Sequence, residues 1–299
     1  MKIGYPCLNR SIGCTPSRTF RLASYSAGRL AETVNCNLDC LERILEFNRD
    51  KGLLFFRITS DLVPFASHAV CVFPWPEKFA RRFAALGRFI RQHGMRISMH
   101  PDQFTLINSP DPEIFQRSAA ELSYHARVLD LLGLDRTARI QIHAGGVYGD
   151  KPASLDRFCA RFDRLPAAVR RRLAVENDDR LYRVADCLLI SRRTGVPVLF
   201  DSFHHRLNSG GEGARAGLAM AAATWEKADG PPMVDYSSQK TGERAGSHAE
   251  SIDLKHFARF VAATAGMDFD IMLEIKDKER SALRAREQLV KMKRIPERH

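Results

Sequence analysis

Short apolar runs recur along the chain, and the intervals between most of them are long enough for a helix. Each run has four to six residues and is rich in Ile, Val, Leu or Phe, as buried parallel strands are. The runs are 3–6, 53–58, 96–99, 139–143, 173–176, 196–201, 233–236 and 271–275. This pattern predicts eight strands.

The intervals carry apolar residues at a period of about 3.6, which predicts amphipathic helices. One helix start is especially clear: Asp111 can cap free N–H groups, Pro112 suits the first turn, and Glu113 favours the positive end of the helix dipole. Gly133 and Gly195 are placed to end two of these helices. The predicted helices are 38–47, 78–93, 111–132, 179–193, 254–265 and 279–291.

Strands that alternate with helices over about 290 residues favour one α/β domain, a (β/α)8 TIM barrel. We assign the barrel to residues 1–290 and interpret 291–299 as a basic tail that need not be ordered. A doubly wound open sheet is the alternative fold. It usually has a glycine-rich loop after its first strand, and the segment 4–9 does not look like one.

Polar residues follow or end six of the predicted strands. In a (β/α)8 barrel the carboxyl ends of the strands converge on one face, where active sites lie. Four carboxylates in that small volume would repel one another strongly or take up protons, and bound divalent cations remove this conflict. We therefore predict a metal site at this face of the barrel. The predicted ligands are His100, His143, Glu176, Asp201, His204, Asp235, His248 and Glu274.

Eight ligands are more than one ion takes, so we expect two to three divalent ions. Mixed imidazole and carboxylate ligands suit Mn, Zn or Fe better than Mg alone. Sites with several metals favour in-line displacement at phosphorus. We also predict that Lys276 reaches the same site, because it lies two residues beyond Glu274 and strand alternation returns it to the same face.

The net charge of the chain bears on the kind of partner that it binds. The chain has 46 Lys and Arg against 35 Asp and Glu, a net charge of +11 that favours an anionic partner. The positive residues, Arg57 among them, are scattered along the chain, and a surface that is only adapted for solubility would give the same pattern.

No apolar run reaches the ~18 residues of a membrane span. Seven cysteines without a secretory signal favour free thiols, so we expect a cytoplasmic protein without disulfide scaffolding, with no membrane partner, acting as a monomer.

Six short motifs occur in an order that resembles the UV-damage endonucleases, a family of (β/α)8 nucleases related to endonuclease IV. The motifs are GYPCLN at 4–9, VPFASH at 63–68, SMHPDQ at 98–103, AVENDDR at 174–180, FHHRLN at 203–208 and GSHA at 246–249. Single pairs such as Ser-His are weak signals, but the ordered series covers most of the chain.

The resemblance implies an enzyme that nicks damaged double-stranded DNA immediately 5′ to cyclobutane dimers and 6-4 products, often also at abasic sites, and leaves a 3′-hydroxyl. It implies three metals, commonly manganese, with Glu176 as a bridging ligand. It adds His68 to Glu176, Glu274 and Lys276 as a catalytic candidate. It also implies that Tyr5, Gln103 and Phe104 probe the duplex, with Asn9 lining the same site. An aromatic or amide wedge that fills the gap left by flipped bases is physically reasonable.

Two positions depart from the family pattern. Some relatives have a histidine at Asp235, and some have a lysine at Met233 that can be carboxylated. Two other functions therefore stay open. A sugar isomerase or epimerase on the same barrel would also use His and carboxylate ligands to metal, and a damage-binding protein could have lost catalysis.

Overall fold

The computed structural model of the chain describes residues 1–297 and contains a closed barrel of eight parallel strands. Each strand pairs with the next along the chain, and β8 closes the ring on β1 through the register Ile3 to Ile271 and Gly4 to Met272. The closure confirms the predicted (β/α)8 barrel and excludes an open sheet. The strands are β1 Ile3–Pro6, β2 Phe55–Ile58, β3 Arg96–Met99, β4 Arg139–His143, β5 Leu173–Glu176, β6 Val198–Asp201, β7 Met233–Tyr236 and β8 Asp270–Leu273.

Helices surround the barrel, and the chain has more of them than the sequence predicted. The α-helices among the described residues are α1 Ala27–Lys51, α2 Trp75–Gln92, α3 Pro112–Leu131, α4 Lys151–Phe162, α5 Ala167–Arg170, α6 Val184–Thr194, α7 Ser202–Leu207, α8 Ala214–Ala222, α9 Leu254–Ala263 and α10 Glu279–Lys291. Four of these, α4, α5, α7 and α8, were not predicted. None of the described helices is long and apolar enough to cross a membrane.

The start of α6 differs from the prediction for a local reason. The helix begins at Val184 rather than near 179, because the Asp178 side chain accepts hydrogen bonds from the backbone N–H groups of Arg180, Leu181 and Tyr182. An aspartate that satisfies successive backbone groups in this way holds a turn in place of a helical start. The turn keeps the loop after β5 at the rim of the barrel.

Side chains that point into the barrel form three layers. At the amino-terminal end, Arg96 donates to Asp270 at 2.9 Å and Arg139 pairs with Asp229. The middle layer is apolar and contains Phe55, Ala174, Leu199, Met233 and Met272. Two residues further along the same strands come Arg57, Glu176, Asp201, Asp235 and Glu274. Since strand side chains alternate, these polar groups face inward above the apolar layer.

This layering also places Met233. Its side chain is fully buried in the apolar layer beneath the polar residues, against Leu199 and Met272 among others. A methionine thioether packs there, and it supplies neither a charge nor a ligand oxygen. Met233, which stands where some relatives have a lysine, therefore contributes no polar group to the layer above it.

One pair of cysteines contradicts the expectation of free thiols. Cys14, in the loop after β1, and Cys40, in α1, form a disulfide with their Cα atoms 5.8 Å apart. The two are separated by 26 residues in sequence, so only the packing of this loop on α1 brings them together.

The segment that follows α10 contacts the segment that follows α9. Lys291 is the last residue of α10, and the Arg294 guanidinium donates to the carbonyl oxygens of Thr264 and Met267 at 3.2 and 2.8 Å. Residues 298–299 of the predicted tail lie outside the described residues. The division into a barrel over 1–290 and a tail over 291–299 stays a prediction.

Candidate metal centre

Seven of the eight predicted ligands come together at the carboxyl ends of the strands. They form three overlapping groups in which the candidate ligand atoms all lie within 4.8 Å of one another. The groups are His100 with His143 and Glu176, Glu176 with Asp201 and His204, and Asp201 with Asp235 and Glu274. Glu176 and Asp201 each belong to two groups, which is the arrangement expected of bridging carboxylates.

The first group presents neutral imidazole. The Nε2 atom of His100 lies 3.6 Å from Glu176 Oε2, and the rings of His100 and His143 are 5.4 Å apart. Burial lowers the pKa of His100 to about 4, so its ring nitrogens are free of an extra proton at neutral pH. Burial would raise the pKa of Glu176, but the facing histidines hold it below its ordinary value. Neutral imidazole and ionised carboxylate are the forms that ligate metal.

The second group depends on the unpredicted helix α7, which begins directly after β6. Asp201 ends the strand and caps this helix, and its Oδ1 accepts the backbone N–H groups of Phe203 and His204 at 2.6 and 2.8 Å. His204 therefore points back over the strand end, with Nδ1 3.5 Å from both Glu176 Oε1 and Asp201 Oδ2. Burial raises the pKa of Asp201 to about 7. Burial opposes a charge on His204, but Asp201 and Glu176 outweigh it and raise its pKa to about 9.

Two carboxylates of the third group pair with a buried arginine that the sequence analysis counted among the scattered arginines. Arg57, from β2, is buried and donates through Nη2 to Asp235 at 2.6 Å and through Nη1 to Glu274. Burial would raise the pKa of Glu274, and Arg57 instead holds it well below its usual range. Burial raises the pKa of Asp235, and Arg57 opposes that shift. The alternation of strand side chains could have predicted that Arg57 faces inward, because it lies two residues beyond the inward-facing Phe55.

Gln141 completes the support of the carboxylates. Its Nε2 donates to Glu176 Oε2 at 2.9 Å and to Asp235 Oδ2 at 2.7 Å, and its Oε1 accepts from Arg57 Nη2 at 2.8 Å. These contacts hold the carboxylates close together while leaving other oxygens free. The sequence analysis missed Gln141 because it considered only the residues that end the strands.

The residues fit divalent cations, and the atoms without partners show it. Among the described residues, His100 Nδ1, His143 Nδ1, Asp201 Oδ2 and Asp235 Oδ1 are buried and have no hydrogen-bond partner. A buried polar atom without a partner costs free energy, and most find one. Four such atoms on candidate ligands in one cluster form a donor set of mixed nitrogen and oxygen for metal.

His248 lies beside these groups and belongs to none of them within the described part of the chain. Its Nδ1 donates to the Glu274 carbonyl oxygen at 2.7 Å and lies 2.9 Å from Ser237 Oγ. Such a bond fixes the ring orientation and leaves Nε2 as the free nitrogen. Its role as a ligand stays a prediction.

A cavity of about 590 Å³ opens above the cluster. Its walls include ligand candidates and several residues that carry no predicted role. They are Pro6, Cys7, Arg57, His100, Pro101, Gln103, His143, Ser247, His248, Glu274, Ile275, Lys276 and Lys278. Lys276 is exposed, and its ammonium donates to Glu250 at 2.8 Å rather than to a predicted ligand.

Gln103 and Phe104 are exposed side by side at the rim of the barrel. Gln103 lines the cluster cavity, whereas Phe104 lines a neighbouring cavity of about 520 Å³ together with His68 and Asp102. Phe104 is 73% exposed. His68 accepts the backbone N–H of Val70 through Nδ1, and it belongs to none of the metal groups formed by the described residues.

Tyr5 is not available to probe a duplex, so this prediction is corrected. Its ring is fully buried on the outer side of β1 against Phe56, and its hydroxyl donates to Asn48 of α1 at 2.7 Å. Asn9 is also buried and donates to the Tyr5 hydroxyl at 2.8 Å. In β1, Gly4 and Pro6 face the barrel interior, so the residue between them faces the helices.

Comparison with known proteins identifies the family. The family model described as UV-endonuclease UvdE matches residues 1–298. The chain belongs to the UV-endonuclease UvdE family. The UV DNA damage endonuclease of Clostridium perfringens is 35% identical over 95% of this chain and 69% of that protein, and the one of Bacillus cereus strain Q1 is 33% identical over 95% and 92%. Membership in the family confirms the resemblance and the prediction of an endonuclease.

Solved structures agree with this family and show how widely the fold is shared. The crystal structure of SacUVDE superposes with a TM-score of 0.95 at 42% identity and covers 99% of this chain and 100% of its own. Endonuclease IV from Thermus thermophilus covers 97% of this chain with a TM-score of 0.58 at 16% identity. D-psicose 3-epimerase from Clostridium cellulolyticum has a TM-score of 0.54 at 13% identity. The last two share the fold alone.

Proposed function

We propose that this protein is a repair endonuclease that nicks UV-damaged DNA immediately 5′ to cyclobutane dimers and 6-4 products and leaves a 3′-hydroxyl. Abasic sites are a second substrate class in this proposal. The observation that carries it is the cluster of three overlapping ligand groups at the barrel mouth, in a chain that belongs to the UV-endonuclease family. The net charge of +11 supports a polyanionic substrate.

We place two to three divalent ions, Mn²⁺ first, in the three groups of the cluster. The seven grouped side chains would hold them, with Glu176 and Asp201 shared between groups. Ions bound there would lower the pKa of an attacking water and stabilise the leaving oxygen at phosphorus.

The chain's own residues orient this site before any substrate arrives. Arg57 and Gln141 donate buried hydrogen bonds to Asp235 at 2.6 and 2.7 Å, Arg57 also donates to Gln141 at 2.8 Å, and Arg57 pairs with Glu274. Side chains held by a second set of contacts keep the geometry that catalysis needs.

Recognition of the lesion falls to the rim. Gln103 and Phe104 are exposed next to the cluster, so we assign to them the filling of the gap that flipped bases leave in the duplex. A photodimer pairs poorly, so extruding it costs less than extruding normal bases, and this difference gives selectivity.

The test is a nicking assay with an end-labelled duplex that carries one cyclobutane dimer, beside undamaged and abasic duplexes. Protein loaded with Mn²⁺, Zn²⁺ or Mg²⁺ is expected to cut once, 5′ to the dimer, and a chelator is expected to abolish the cut. Cutting only at the abasic site would move the assignment toward endonuclease IV. Epimerase activity on free sugars with no cut in any duplex would overturn it.

The variant Glu176→Gln tests the role of the metal cluster in cutting independently of duplex binding. It is expected to abolish nicking while leaving duplex affinity largely intact, because the bridging carboxylate organises the cluster and does not face the duplex rim. Metal content is measured by elemental analysis in the same preparation. Full nicking by this variant would remove the assignment of the ligands.

A further inference from the structure

Lys278 lines the cluster cavity together with His100, His143 and Glu274, and no motif or resemblance pointed to it. It lies at the N-cap of α10, just beyond the carboxyl end of β8. Its backbone has φ 55° and ψ −116°. The Lys278 N–H donates to the Ile275 carbonyl oxygen at 3.1 Å, which holds the turn.

Three features of this position work against a lysine. A positive φ is unfavourable for a residue with a long side chain, and such strain persists where the surrounding structure imposes it. The amino-terminal end of a helix carries partial positive charge and repels a cation. The side chain is also half-buried at the wall of a cavity and is not fully exposed to water. Strained residues of this kind concentrate at functional sites.

The ammonium of Lys278 has no carboxylate within ion-pair distance among residues 1–297. Its neighbour Lys276 is exposed and pairs with Glu250, so the two lysines differ although they are two residues apart. The nearest acidic ligand candidate on the same segment, Glu274, already pairs with Arg57. A cation that lines a cavity without a partner is available for an anion that enters the cavity.

Cys7 forms a second strained position in the same wall. It follows β1, lines the cavity and also has a positive φ, of 72°. Its N–H donates to the Arg57 carbonyl oxygen at 2.8 Å, so this strained turn is anchored to the strand that carries Arg57. Two strained backbone positions, Cys7 and Lys278, therefore border this cavity.

We propose that Lys278 binds a non-bridging oxygen of the scissile phosphate and is a further catalytic residue of this enzyme. The inference rests on the proposed endonuclease function. The ammonium supplies a charge-assisted hydrogen bond to a phosphate oxygen, from a residue that lines the cavity. No bond is made or broken by the lysine.

The experiment compares Lys278→Met, Lys278→Arg and the control Lys51→Met in single-turnover nicking of the dimer duplex with Mn²⁺. Lys51 is exposed at the carboxyl-terminal end of α1, on the far side of the barrel. We expect Lys278→Met to lower the rate about 10- to 100-fold, the effect of one hydrogen bond to a charged group, and Lys278→Arg to recover most of it. Lys51→Met is expected to match the unaltered protein.

A change in the substrate decides whether Lys278 meets the phosphate or only supports the fold. This comparison uses the Glu176→Gln background, which is expected not to cut. There, Lys278→Met is expected to weaken binding of the native dimer duplex about tenfold. Binding of a duplex with a neutral methylphosphonate at the scissile position is expected to stay unchanged. Equal weakening of both duplexes, or loss of bound metal from Lys278→Met, would overturn the proposal. Failure of the unaltered protein to nick would instead overturn the endonuclease function, so the two failures are distinguishable.

Discussion

Arg57→Met tests whether a fixed guanidinium inside the barrel balances the clustered carboxylates. Arg57 is 3% exposed, and its partners Asp235 and Glu274 are 0% and 21% exposed. Removing one partner of a buried ion pair costs about 3 to 5 kcal/mol, because the other charge is left without compensation. Methionine has a similar length and carries no charge, so the change removes the charge with little change in packing.

The matched control is Arg82→Met. Arg82 pairs with Asp39 on the outer surface, where the two side chains are 30% and 64% exposed. Exposed pairs contribute about 0 to 1 kcal/mol. Both variants are compared with the unaltered protein by urea denaturation at pH 8 after removal of metal by a chelator, with the m-values checked for equality.

The pH dependence sharpens this test. In Arg57→Met the pKa of Asp235 rises further and the pKa of Glu274 is no longer held low by Arg57, so the folded state binds protons more tightly than it does in the unaltered protein. Its stability relative to the unaltered protein is therefore expected to be lowest at pH 8 and to recover toward pH 5 as the carboxylates are protonated. A loss no larger than that of Arg82→Met, or a loss independent of pH, would refute the charge balance assigned to Arg57.

Three other predictions address the rim, the cluster and the corrected residue. Gln103→Ala with Phe104→Ala is expected to reduce discrimination between damaged and undamaged duplex in competition binding while metal content stays constant; loss of metal would make both residues structural. In metal-free protein the pKa values of Asp201 (about 7) and His204 (about 9) are raised, so the stability that these groups contribute at low pH is lost as the pH rises from about 5 to 9. The thermal midpoint is therefore expected to fall over this range, and added Mn²⁺ is expected to reverse the fall. A midpoint that rises with pH would contradict this prediction. Tyr5→Phe is expected to cost about 1 to 3 kcal/mol in urea denaturation, because the buried Asn48 and Asn9 groups lose their partner, with lesion discrimination unchanged; altered discrimination would restore Tyr5 to the recognition surface.

The cluster of candidate ligands was largely predictable from the sequence because it follows from two local rules. Buried parallel strands are short apolar runs, and their carboxyl ends meet at one face of a barrel. Residues such as Glu176 and Asp201 end those runs, so their convergence needs no knowledge of the loops. The same rules located His100 and His143, and family motifs covered the chain densely enough to identify the family.

The tertiary structure alone decided which side chains face which way and which are paired. Arg57 reads as one surface arginine among many until barrel closure turns the strand face of Phe55 inward. Tyr5 lies in a motif next to the site, yet alternation in β1 turns its ring toward α1. Lys276 and Lys278 are two residues apart and both border the cavity, and only the packing of the turn after β8 pairs Lys276 with Glu250 and leaves Lys278 without an ion-pair partner among residues 1–297. The order of the strands and the periodicity of each element can be predicted from the sequence. The direction in which a side chain points, its burial and its ion pairs depend on how the ring of strands closes and how the loops pack on it.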